Sequence, residues 1–237
     1  MQHQALAIDP MRSAEPIARQ VSRTLRDAIV TMKFAPGEML SEQEVARRLG
    51  VSRQPVREAF IKLGEAGLVR ILPQRGTLVV KISRAAVEDA RFIREAVECA
   101  VAREASRRAP PALMTAIAEN IAQQRRASRS RDAEAFFTLD ESFHRLLAEA
   151  AGRPSAWRVV EDVKPQMDRV RFLSMADATP MEVLVSQHAA IADAVKAGNP
   201  RAAEAAMRAH LTEITRSLPA LIARHPDLFE DGDAQPE

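Results

Sequence analysis

The sequence predicts a mainly α protein in two parts, a small α+β domain at the N-terminus and an all-α helical bundle behind it. Three observations carry this. The 237 residues exceed one modest domain. Five glycines fall between residues 37 and 76, whereas Gly152 and Gly198 alone fall between 77 and 231, so the long remainder reads as helices. Charge divides at the same place, because residues 12–81 carry thirteen basic and seven acidic side chains, a net +6 against −4 elsewhere. A basic first third on a mildly acidic remainder points to a polyanion partner for the first part.

Composition closes several classes. A hydrophobic content of 46% with 28% charged residues excludes general disorder. No run of about 18 apolar residues occurs, so no membrane span is expected. The first residues lack a basic start followed by an apolar run, which excludes a signal peptide. Cys99 is the single cysteine; it forbids an intrachain disulfide, fits a reducing cytoplasm and reads as a small buried hydrophobe.

Ile17, Val21, Leu25, Ala28, Ile29 and Met32 recur at helical spacing and predict a helix over 16–33, closed by Ala35-Pro36-Gly37. Ser41-Glu42-Gln43-Glu44 has the form of a capping box for a short helix ending at Gly50. Ser52 then caps a third helix with Val56, Ala59, Phe60 and Leu63 inward. Two short helices across a glycine turn form a helix-turn-helix. Arg53, Gln54 and Arg57 stand at the start of its second helix, where side chains meet base edges, and Ser52 suits a phosphate oxygen. Two short strands, 68–71 and 77–81, flank a Pro73–Gly76 turn that projects Arg75. The first domain is therefore a winged helix-turn-helix.

Behind it, Ser83 opens a long helix reaching Pro110-Pro111, and a second helix covers 112–127. The basic run Arg125–Arg131 reads as a solvated connector. Asp132 starts a third helix, a fourth over 155–176 breaks or bends at Pro165, and Thr179–Glu182 forms a second capping box. Gly198-Asn199-Pro200 joins the last two helices. Asp140, His144, His188 and His210 fall on the apolar faces of three of these helices. Each buried imidazole or carboxylate needs a partner, and one divalent cation satisfies all four. Three histidines and an aspartate suit zinc first, and also nickel, manganese or iron(II).

The segment LRDAIVTMKFAPGEMLSEQEVARRLGVSRQPVREAFIKLGEAGLVRILPQRGTLV resembles the DNA-binding domain of GntR-family bacterial transcription regulators. The resemblance implies that Arg53, Gln54, Arg57 and the wing pair Arg75-Gly76 contact operator DNA. Gln43 departs from it, standing where some members carry a base-contacting arginine. RFIREAVECAVAREA, LDESFHRLLAEAAGR and SQHAAIADAVKAGNPRAAEAAMRAHL are similar to the FCD effector domain of the FadR subfamily. In metal-binding FCD domains the positions matching Asp140, His144, His188 and His210 are the ligands. Arg94 matches a residue that often lines the effector pocket, and Arg169 and Arg171 are further candidates. Gln187 and Arg153 stand where a Glu and an Asn are common.

The resemblance implies a homodimer on a two-fold double-stranded operator, controlled by a small carboxylate effector at the metal. By this reading residues 14–82 bind DNA and 83–225 hold the metal, the effector and the dimer surface, with 1–13 and 226–237 as flexible tails. The protein is expected to be cytoplasmic and not an enzyme, since no HExxH, nucleophile elbow or phosphate loop occurs. Two alternatives stay open: a metal-dependent hydrolase or lyase, because a catalytic metal also needs a ligand set of this kind, and a regulator whose metal is purely structural.

Overall fold

Where residues 15–230 are described, a computed structural model divides the chain into two units, one formed by residues up to Arg84 together with the segment from His225, the other by Ala85–Arg224. Residues 1–13 and 231–237 lie outside the described residues, and with them that part of the tail expectation.

In the first unit, α1 (Ile17–Val30) buries Val21, Leu25, Ala28 and Ile29. It stops short of residue 33 because Met32 turns into the left-handed region (φ 60°), which lets Phe34 enter the core. A strand not expected from the sequence, β1 (Met39–Leu40), leads to α2 (Glu42–Leu49) and α3 (Arg53–Glu65). Ser41 caps α2 by accepting from the Glu44 N–H at 3.5 Å. Gly50, at φ 65°, makes the turn between the two helices. Ser52 occupies the N-cap position of α3, but its hydroxyl makes no cap bond, contrary to the capping role expected of it.

β2 (Val69–Leu72) and β3 (Gly76–Val79) form the wing, and the antiparallel sheet runs β1-β3-β2. The register pairs Val69 with Val79 and Leu72 with Gly76. Gly76 is obligatory here: its φ is +113°, and an added Cβ would lie 3.0 Å from the Leu40 carbonyl oxygen. Val21, Leu25, Phe34, Leu49, Phe60 and Leu68 form the core under the sheet and helices.

Residues 226–230 are not a loose tail. Pro226–Leu228 make a 3-10 turn, and Phe229, 3% exposed, bridges Ile82 in parallel. The Ile82 N–H donates to Leu228 O at 2.9 Å, and the Glu230 N–H to Ile82 O at 3.0 Å. The apolar ring of Phe229 favours this return, because burying it removes it from water.

The second unit is entirely helical among the described residues: α4 (Arg84–Arg108), α5 (Pro111–Ser130), α6 (Ala133–Ala150), α7 (Pro154–Val163), α8 (Pro165–Asp177), α9 (Met181–Lys196), α10 (Pro200–Leu211) and α11 (Glu213–Arg224). Ile117, Phe136, Phe143, Leu147, Trp157, Ile191 and Met207 lie in its core. Asp132 and Asn199 cap α6 and α10 by accepting from the N–H groups of Ala135 and Ala202. The basic run at 125–131 is helix up to Ser130 rather than a connector, because Ala127 and Ser128 turn inward while the arginines stay exposed. Proline at 165 splits the expected fourth helix into α7 and α8. The expected box at Thr179 does not form; Pro180 is the N-cap, and the Glu182 carboxylate accepts from the Ser128 hydroxyl at 2.8 Å.

Phe229→Ala should cost about 3 kcal/mol of folding stability in denaturant titrations followed on the winged unit. A loss below about 0.5 kcal/mol would show that the returning segment adds nothing to the fold.

Candidate metal centre and DNA-reading face

Ser52, Arg53, Gln54 and Arg57 share the exposed N-terminal end of α3, as the sequence predicts. Both arginines turn to one carboxylate. Glu42, in the first turn of α2, accepts from Arg53 Nη2 at 3.1 Å and from Arg57 Nε and Nη2 at 3.0 Å each. The Arg57 bonds, with Arg53 beside them, hold the Glu42 carboxyl below its ordinary range against the opposing effect of partial burial. Gln54 Nε2 donates to Glu58 at 3.0 Å. Arg75 is exposed in the wing turn, next to Gln74 at φ 60° and Gly76. Glu42 escaped the sequence reading, since its capping-box position explained it already.

In the second unit, Asp140 and His144 on α6, His188 on α9 and His210 on α10 bring one ligand atom each to within 4.8 Å of one another. All four are buried. His210 Nε2 lies 3.3 Å from His144 Nε2 and 3.4 Å from His188 Nε2. Asp140 Oδ1 is 3.5 Å from His188 Nε2, and Oδ2 is 3.9 Å from His144 Nε2. One helical turn separates Asp140 from His144, and the Gly198-Asn199 turn folds α10 back along α9 so that His188 and His210 meet.

Electrostatics favour ligation. Burial first, then the neighbouring His144 and arginine charges, holds His188 well below the ordinary imidazole range. His210 is lowered in the same way, by burial and then by His188 and His144. Both are therefore neutral at pH 7, the form that donates a lone pair to a metal. Glu98 binds His144 Nδ1 and accepts from Arg94 Nε at 2.5 Å. Burial opposes its charge, but Arg94 and His144 outweigh this and keep it well below the usual carboxylate range. Three imidazoles and a carboxylate converge as a donor set that fits a divalent cation, with the Arg94 and Arg171 guanidiniums at its edge.

A cavity of ≈ 30 Å³ adjoins the cluster, lined by Arg94, Asp140, Arg171 and His210 on its polar side and by Met167 and Leu184 on its apolar side. Arg94 Nη2 lies 3.5 Å from His144 Nε2. Arg171 binds Asp140, Glu141 at 2.7 Å and Asp168 at 2.8 Å. Lys164 ties Asp168 to the same network at 2.6 Å. Arg169 is not brought to the cavity; it is fully buried and donates to Gln166 at 3.2 Å. The sequence reading missed Glu98 and Gln124 and named Gln187 only as a departure from the family pattern; all three hold the imidazoles from behind. Their signal was polarity at an inward helical position, as for Gln124 in the stripe Ile117, Ile121, Gln124, Ser128, all buried.

Residues 17–79 match the family described as bacterial regulatory proteins, gntR family, and residues 89–213 match the FCD domain. The chain is 43% identical to the HTH-type transcriptional repressor RspR of Escherichia coli (strain K12), over 93% of this chain and 97% of that one. The chain belongs to the GntR family, with an FCD domain behind its DNA reader. The crystal structure of a putative GntR regulator from Rhodococcus sp. RHA1, 28% identical, superposes with a TM-score of 0.70 over 86% of this chain and 98% of that one. E. coli McbR/YncC, at 19% identity, shares the fold with a TM-score of 0.76 over 90% and 99% of the two chains. This chain is thus a transcription regulator with a DNA-binding domain. No helix among its described residues is long and apolar enough to cross a membrane.

If Arg53 and Arg57 contact DNA, as proposed below, Glu42 competes with the DNA for them. Glu42→Gln should therefore tighten binding to DNA by about two- to fivefold at low salt in fluorescence-anisotropy titrations. Weaker binding would show instead that Glu42 orients the two arginines for reading.

Proposed function

We propose that this GntR-family chain is a cytoplasmic, homodimeric repressor whose hold on a two-fold operator is controlled by a small carboxylate effector at a divalent metal. The observation that carries the reading is the convergence of Asp140, His144, His188 and His210 beside a cavity lined by Arg94. Those four side chains would hold the ion, with zinc suited first by the donor set and nickel, manganese and iron(II) by similar chemistry. When bound, a divalent ion supplies a Lewis-acid centre that attracts an anionic group. Arg94 adds a second attraction: Glu98 takes its Nε, and its Nη2 faces the cluster. Arg171, already spread over three carboxylates, acts chiefly to hold Asp140 in place. The small cavity favours a compact acid.

On the DNA side, Arg53, Gln54 and Arg57 would read bases in the major groove, with Ser52 and the wing residues Arg75 and Gly76 on the backbone. A repressor is favoured over an activator by the name of the 43% identical relative. Effector binding would shift the population of dimer arrangements and with it the operator affinity. The relatives named as transcription regulators support this binding role over a hydrolase or lyase.

Two measurements test the reading. Elemental analysis of purified protein should find close to one divalent ion per chain, and His188→Ala or His210→Ala should lose most of it. Metal-free wild type with an unchanged response to organic acids would reduce the site to a polar core cluster. Separately, Arg53→Ala and Arg57→Ala should each weaken operator binding roughly ten- to hundredfold while random-sequence binding falls less. Equal losses on both DNAs would make these residues phosphate contacts.

A further inference from the structure

Each imidazole of the cluster rests its second nitrogen, Nδ1, on a partner from another helix, and two of those partners are neutral amides. What an amide offers a histidine is dictated by what lies at its far end. Behind His188, Gln124 Oε1 is 2.7 Å from Nδ1. Gln124 Nε2 donates to Asn120 Oδ1 at 2.7 Å, and Asn120 Nδ2 donates to the Leu139 carbonyl at 3.0 Å. A carbonyl only accepts, so Asn120 turns its NH2 group to Leu139 and its oxygen to Gln124. Gln124 must then turn its own NH2 group to Asn120 and its oxygen to His188. Nδ1 of His188 therefore carries the proton.

The same logic runs behind His210. Gln187 Oε1 is 2.9 Å from its Nδ1, and Gln187 Nε2 donates to the Glu213 carboxylate at 3.0 Å. A carboxylate accepts, so the amide oxygen again faces the imidazole. Asn120 and Gln124 are buried, so a reversed amide would strand donors against donors where water is scarce.

We propose that Asn120–Gln124 and Glu213–Gln187 are two hydrogen-bond relays that lock His188 and His210 as Nδ1–H tautomers and present both Nε2 lone pairs to one cation. The opposite tautomers would place protons in the 3.3 and 3.4 Å spaces between the Nε2 atoms and close the site. Gln124 and Gln187 are thus positioning residues, touching the imidazoles and not the ion. Their use rests on the metal reading above, but the polarity of the relays holds with or without an ion.

The test uses the full chain with zinc as the probe and three variants: Gln124→Met, Gln187→Met and the double exchange Gln187→Glu with Glu213→Gln. Zinc affinity is read by competition with a chromophoric chelator, and histidine tautomers by long-range 1H–15N NMR of chelator-treated protein. Each methionine variant should weaken zinc about 10- to 100-fold with all four ligands in place. The double exchange keeps an acceptor facing His210 and should return zinc affinity to near the wild-type value. Wild-type His188 and His210 should show Nδ1–H. Wild-type zinc affinity in either methionine variant, or an Nε2–H tautomer in wild type, overturns the proposal. Should a methionine variant fail to fold, the wild-type tautomers and the double exchange still decide. Wild type that binds no zinc yet shows both Nδ1–H tautomers would overturn the metal reading and leave the relays standing.

Discussion

The second unit is organised around a polar demand inside an apolar core. Three imidazoles and one carboxylate are buried from α6, α9 and α10, and burial penalises any group left without a partner. The partners come from the surrounding helices: Glu98 from α4, Gln124 from α5, Arg171 from α8, and Gln187 of α9, itself held by Glu213 of α11. Seven helices, all but the short α7, are thereby fixed in register by hydrogen bonds that tolerate errors of a few tenths of an ångström. A purely apolar core of the same volume would allow more slippage, since packing alone is less directional.

The winged unit solves a different problem. Its reading surface must stay exposed and positive until DNA arrives, and free arginines there repel one another. Glu42 draws Arg53 and Arg57 together from the neighbouring helix, so the α2–α3 turn at Gly50 sets the geometry of these proposed base contacts as well as the fold. The exposed pairs are weak and screened, so on the proposed reading DNA would displace them.

Much of this was legible in the sequence because local rules govern it. Helical spacing placed Asp140, His144, His188 and His210 inward, and Ser41 caps α2 and Asp132 opens α6 as expected, although Ser52 makes no cap bond. What remained hidden depends on distant residues. β1 is two residues long and exists only because β3 pairs with it. Thr179 lost its cap role to a tertiary bond between Glu182 and Ser128, which lie 54 residues apart. Leu228-Phe229 carried a signal of its own, an apolar pair near the end of the chain, but the partner Ile82 could not be named from spacing. The residues behind the imidazoles are ordinary polar letters until the fold brings them there.

The central claim is that four side chains from three helices share one cation. X-ray absorption at the metal edge of the purified protein tests it most directly, because imidazole rings leave a distinct outer-shell scattering pattern. The account predicts nitrogen and oxygen neighbours at about 2.0–2.2 Å with scattering from three imidazoles. A bound ion with one imidazole or none, or with sulfur neighbours, would contradict it.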